Sequence, residues 1–108
     1  MKLIFSPARM DTPLRAKVQG DVLTLNGERL DFGPLPVAAI LPRDAILSPW
    51  IAGDVTRDDV GVLTVPLILP HGANAPRTTL HPAPLNVTKD GALDLPIYDT
   101  EETRDVEN

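Results

Sequence analysis

A small all-β domain is what this sequence predicts: an antiparallel sandwich or barrel built from hairpins, with long proline-rich loops and little helix. Three observations point there. Twelve prolines are spread through 108 residues, about twice the usual share of ~5%, and they interrupt the chain too often for long helices. Short runs alternate apolar and polar residues with the two-residue period of a strand. Turn signals recur roughly every 8–12 residues, as in sandwiches and small barrels.

The elements follow in order. "KLIFS" (2–6) is a short apolar strand that Pro7 is expected to stop. "LRAKVQGD" (14–21) reads as a strand turning at Gln19-Gly20-Asp21. The clearest signal is "GDVLTLNGERLDF" (20–32), where Asn26-Gly27 suits a two-residue type I′ turn because both residues tolerate positive φ. That turn sets Leu25 against Glu28, Thr24 against Arg29 and Leu23 against Leu30. Leu23, Leu25, Leu30 and Phe32 then share one face, so 14–32 is a three-stranded meander. Prolines 34, 36, 42 and 49 divide the next segment, leaving room for one helical turn in "PRDAIL" with Pro42 at its start.

A second hairpin is expected over 54–69, with its turn at 56–59 and a return strand from Val60 to Leu69. Both faces of that strand are largely apolar, as in a strand covered on two sides. Pro66 cannot donate to a ladder, which places the strand at an edge or a bulge, where a second copy could pair with it. A third hairpin is expected from Leu85 and Val87 across Lys89-Asp90-Gly91 to Leu93 and Leu95.

Residues 1–95 thus read as a single β-rich domain. Residues 96–108 carry five acids against Arg104, a net of −4 within the total of −5, so the body is near neutral. So acidic and apolar-poor a segment is expected to be disordered, with docking on a basic partner or repulsion between copies as the sharper reading.

Several chemistries are excluded or disfavoured. With no cysteine, disulfides, thiolate metal sites and cysteine nucleophiles drop out. No apolar run reaches the ~18 residues of a membrane span, and the start lacks a signal-peptide core, so the expectation is a cytoplasmic protein without membrane association. Basic residues are singly spaced and do not interleave with aromatics, which argues against nucleic acid.

"LILPHGANAPRTTLHPAP" (67–84) holds both histidines, His71 and His81. Two imidazoles fall short of the three or four ligands of a zinc site, so no metal or cofactor is expected. As a hydrolase loop the stretch lacks a G-x-S-x-G, and Ser6 and Ser48 both precede proline. A rigid connection fits better: Pro70 stops a strand, Gly72 and Asn74 tolerate left-handed backbone, and Pro76, Pro82 and Pro84 keep the chain extended. Trp50, the sole tryptophan, is an anchor for a core or a subunit interface, with a sugar-stacking platform as the alternative. Asp54, Asp58 and Asp59 read as a solvated turn, since they lack calcium-loop spacing.

"KLIFSPARMD", "GDVLTLNGERLDFGPLP" and "LILPHGANAP" together resemble uncharacterised short proteins encoded in prophages near phage tail and tail-fibre genes. The resemblance covers most of residues 1–95. It carries no functional residues and implies a context only: a tail component, or a factor that helps assemble one. With no catalytic set visible, the expectation is a non-enzymatic structural or assembly protein that is cytoplasmic when made, contacts other proteins and forms homo-oligomers, with virion component and assembly factor both left open. Trp50, Val62, Ile68, His71 and Asn74 are the candidate binding residues. The alternatives are a sugar- or host-surface-binding module and a small hydrolase relying on His71.

Overall fold

A computed structural model describes residues 1–100, and they form the expected small all-β fold. Among the described residues the strands are β1 (Lys2–Arg9), β2 (Ala16–Gln19), β3 (Val22–Leu25), β4 (Glu28–Asp31), β5 (Ile40–Leu41), β6 (Val55–Arg57), β7 (Leu63–His71), β8 (Leu85–Asn86) and β9 (Gly91–Ala92). One sheet has the order β5-β6-β7-β1-β8 and the other β4-β3-β2-β9. Among the described residues helix is limited to a 3-10 turn at Arg43–Ala45, preceded by Pro42 as expected, and one α-turn, α1 (Arg77–Leu80). No helix among the described residues is long and apolar enough to cross a membrane.

The meander β2-β3-β4 has the register read from its turns. Leu25 pairs with Glu28, Thr24 with Arg29 and Leu23 with Leu30, around Asn26 and Gly27 at φ 49° and 87°. Asn26 does more than turn: its Oδ1 accepts the Arg15 N–H at 2.7 Å and its Nδ2 donates to the Pro13 carbonyl at 3.2 Å. The turn is thereby tied to the strand beside it. Leu23, Leu25, Phe32 and Val18 are buried against Leu3, Val65, Leu67 and Leu69 of the other sheet. This is the core.

The longest ladder is parallel and was not legible in the sequence. β1 and β7 pair without interruption from Lys2–Thr64 to Arg9–His71, which makes the five-stranded sheet mixed and puts β7 at its centre. Three proline readings are corrected by this. Pro7 does not stop β1. The Met10 N–H donates to the His71 carbonyl at 3.2 Å, so even-numbered residues of this strand turn their amides to β7 and odd ones turn away. Pro7 lies on the outward side, where β8 covers only Lys2 and Leu3, and no ladder bond is lost.

Pro66 marks neither an edge nor a bulge. Its nitrogen faces away from β1, towards residues 50–52, where the Ala52 N–H donates to the Pro66 carbonyl at 2.9 Å and the Ile68 N–H donates to the Trp50 carbonyl at 2.8 Å. At that position only an acceptor is needed. Pro70 likewise lies within β7 and does not end it.

The turn before β7 spans Asp58–Val62 and not 56–59. Asp58 Oδ1 accepts the N–H groups of Val60 and Val62 at 3.0 and 2.8 Å, and the Asp58 N–H donates to the Val62 carbonyl at 3.0 Å. The expected hairpin over 85–95 does not form. β8 pairs with β1 and β9 with β2, so this segment crosses between the sheets, and Asp90 Oδ1 receives the Gly20 N–H at 2.9 Å on the far side.

Arg57 locks the two sheets together. At the end of β6 it pairs with Leu63 of β7 and points inward, with its side chain only 11% exposed. Its Nε donates to the Leu35 carbonyl (2.7 Å), Nη1 to the Gly61 carbonyl (2.9 Å) and Nη2 to the Phe32 carbonyl (2.9 Å); Nη2 also meets Asp21 Oδ2 at 3.2 Å. A planar guanidinium can serve several acceptors in one plane in this way.

Candidate interaction surface

Pleating sends alternate residues of β1 and β7 to opposite faces. Leu3, Phe5, Val65, Leu67 and Leu69 go to the core. The outer face receives Ile4 beside Pro66, Ser6 beside Ile68, and Ala8 beside Pro70. Lys2, beside Thr64, is followed across the sheet by Thr56 and Ile40. An antiparallel or mixed sheet with one solvated face ordinarily sets polar residues there. Here Lys2 is the single charge in these rows, Ile4 is 39% exposed and Ile40 63%. Ile68 is half-buried.

The five candidate residues are strung along β7 and do not gather in one patch. Val62, just before the strand, is exposed and lies about 20 Å along the strand from Ile68, at ~3.3 Å per residue. It lines the cleft between the sheet ends with Met1, Val18 and Val87. Trp50 adjoins Ile68 through the backbone bond described above; its ring is half-buried and packs against the core cluster. His71 closes β7, and its Nδ1 bonds with the Gly72 carbonyl at 2.9 Å, an acceptor, so this nitrogen carries the proton. Asn74 is exposed, beyond the strand. His81 is exposed as well, and among the described residues no three potential metal ligands come together.

The loop that carries His71 and Asn74 is fastened by the end of the described chain. The Gly72 N–H donates to the Tyr98 carbonyl at 2.7 Å, and the Thr100 N–H to the Asn74 carbonyl at 3.2 Å, an oxygen that also receives the Thr100 hydroxyl. The Tyr98 hydroxyl donates to the Met10 carbonyl. Thr79, fully buried, donates its hydroxyl to the Ile97 carbonyl at 2.5 Å. A Cβ on Gly72 would stand 2.1 Å from Asp99 Oδ2, so glycine is needed there for close approach. Residues 96–100, grouped by composition with the acidic tail, thus lie along this loop; 101–108 fall outside the described residues.

Two features of this region escaped sequence reasoning. Residues 77–80 are not extended but form α1, with the Thr79 and Leu80 N–H groups donating to the Pro76 carbonyl at 2.9 and 3.1 Å. Proline is tolerated at the start of a helix, where its missing N–H is not needed, so "PRTTL" did carry a signal. The three aspartates near residue 58 hold backbone in part: Asp58 as above, and Asp54 Oδ1 by accepting the Arg43 N–H at 2.9 Å. No family model, curated protein or solved structure matches the chain.

Proposed function

We propose that this protein is a non-enzymatic structural or assembly component of a phage tail, and that it works by docking another protein on the outer face of its five-stranded sheet. One observation carries the reading. The outer rows of β1 and β7, with Ile4, Ala8, Pro66 and Ile68, hold a single charge, Lys2, in a sheet whose other face is already buried. Apolar surface of this kind gains by removal from water, and exposed apolar patches mark partner sites. The tail context comes from the resemblance of most of residues 1–95 to prophage-encoded proteins. Fold class does not assign function, so the face and the context carry the proposal together.

The test is a tagged pull-down from an induced lysogenic host, read by mass spectrometry, with wild type beside Ile68→Asp. Tail or fibre proteins captured by wild type and lost by the variant support the reading. Bait alone in both eluates, or equal capture by a variant whose circular dichroism is unchanged, overturns it.

A further inference from the structure

Among the described residues the four-stranded sheet ends at β4, and the hydrogen-bond alternation shows which of its peptide groups have no partner there. Leu25 and Glu28 flank the two-residue turn, so they form a hydrogen-bonded pair, and the next such pair is Leu23 with Leu30. The Phe32 N–H bond to the Asp21 carbonyl, 3.0 Å, continues the same alternation. Residues 28, 30 and 32 therefore face β3, and the peptide groups of Arg29 and Asp31 face outward. Their side chains stand on the face away from the core, beside Thr24 and Val22, and both are exposed.

An open edge invites another strand, and charges usually discourage it. This edge carries one cation and one anion, placed symmetrically about Leu30. For a second copy running antiparallel, hydrogen bonding admits registers centred on residue 29, 30 or 31. Centring on Arg29 sets arginine against arginine, and centring on Asp31 sets aspartate against aspartate; like charges directly opposite are destabilising. Centring on Leu30 sets Arg29 opposite Asp31 twice over, as a two-fold axis requires.

Both partners are available. Asp31 uses Oδ1 to accept the Gly33 N–H at 2.9 Å, which leaves Oδ2, and Arg29 makes no ion pair among the described residues. Beside the edge lies a groove of about 380 Å³ walled by Leu41, Ala45, Ile46 and Leu47, the last 89% exposed. It offers apolar surface next to an incoming strand.

We propose that two copies of this chain join through β4, antiparallel and centred on Leu30, so that the four-stranded sheet continues across the pair. The contact is separate from the outer face of the other sheet, so either proposal can fail alone.

Sedimentation velocity of the full chain across a concentration series tests it. The sedimenting mass should double for wild type, stay single for Arg29→Asp and for Asp31→Arg at the same concentrations, and double again for the Arg29→Asp/Asp31→Arg exchange. The absence of cysteine allows a second readout. Residues facing each other in a non-hydrogen-bonded pair lie ~4.5 Å apart between Cα atoms, within disulfide range. Leu30→Cys should therefore give a covalent dimer on mild oxidation, and Thr24→Cys, on an interior strand, should not. A single mass at every concentration without cross-linking, or a dimer that Arg29→Asp leaves intact, overturns the proposal.

Discussion

Arg57→Ala should be among the most damaging single substitutions in this domain. The guanidinium gives three hydrogen bonds of 2.7–2.9 Å to the carbonyls of Leu35, Gly61 and Phe32. Hydrogen bonds to charged groups contribute ~1.5–3 kcal/mol each, but three such values are not additive. The Gly61 carbonyl lies at a surface turn that water can reach once the side chain is gone. The Asp21 contact adds little, because that carboxylate is 47% exposed and surface pairs are worth under ~1 kcal/mol. A loss of about 3–4 kcal/mol results, a large part of the ~5–15 kcal/mol that holds a domain folded.

At ~4–8 °C per kcal/mol for a domain of about this size, Tm should fall by roughly 12–30 °C. Urea unfolding followed by the fluorescence of Trp50, the sole tryptophan, reads the difference directly. Arg57→Met retains the apolar stem and separates packing from hydrogen bonding; it should lose nearly as much as alanine. Arg57→Lys keeps the charge without the planar fork and should lose more than half. A loss below ~1 kcal/mol for Arg57→Ala, or an equal loss for Asp21→Asn, would refute the reasoning.

Three further substitutions test other ties. Asn26→Ala removes two side-chain bonds and places a Cβ-bearing residue without αL preference at φ 49°; a loss of about 1–2 kcal/mol in the same urea assay is expected. Gly72→Ala must push Asp99 aside, so hydrogen exchange at the Gly72 and Thr100 amides should accelerate while core amides of β3 keep their protection. Pairing Gly72→Ala with Asp99→Gly should restore slow exchange, and failure to do so would count against the close approach as the cause. Thr79→Val keeps the shape of a fully buried side chain but removes its hydroxyl bond to the Ile97 carbonyl, for a loss of about 0.5–1.5 kcal/mol by thermal unfolding.

The meander was legible because everything that fixes it is local. Asn26-Gly27 sets the turn, the turn sets the register, and the register sends Leu23, Leu25 and Phe32 to one face. The β1–β7 ladder has no such source. It joins residues such as Phe5 and Leu67 that no turn connects, and a parallel pair needs a long crossover whose course local pattern does not reveal. The same ladder explains why Pro7 and Pro66 misled. A strand proline is excluded only where its nitrogen must donate, and the side to which each nitrogen turns is decided by tertiary pairing. The hairpin expected over 85–95 failed for a related reason: Val87 bonds reciprocally with Met1, so a distant partner outcompeted the nearby one. Arg57 had no sequence signature at all, since its main acceptors are backbone carbonyls.

The candidate surface was half legible, and the half that failed is instructive. Apolar residues on both faces of 60–69 argued for a strand covered twice, and Pro66 then argued for an edge where a partner would add a strand. The structure places β7 at the centre of its sheet with β1 and β6 as neighbours, so its edges are taken. What remains open is its second face, where Pro66 and Ile68 lie beside Ile4 and Ser6. A partner drawn to the apolar residues of β7 would therefore sit above the sheet and not along it. The edge pairing proposed for β4 has no hydrophobic signal, because what marks it is the order of Arg29 and Asp31 about Leu30. One surface would bury apolar side chains and the other would satisfy peptide groups and charges. Salt distinguishes them: screening weakens exposed charge pairs and leaves apolar burial largely unaffected, so a β4 dimer should loosen as ionic strength rises while docking on the outer face persists.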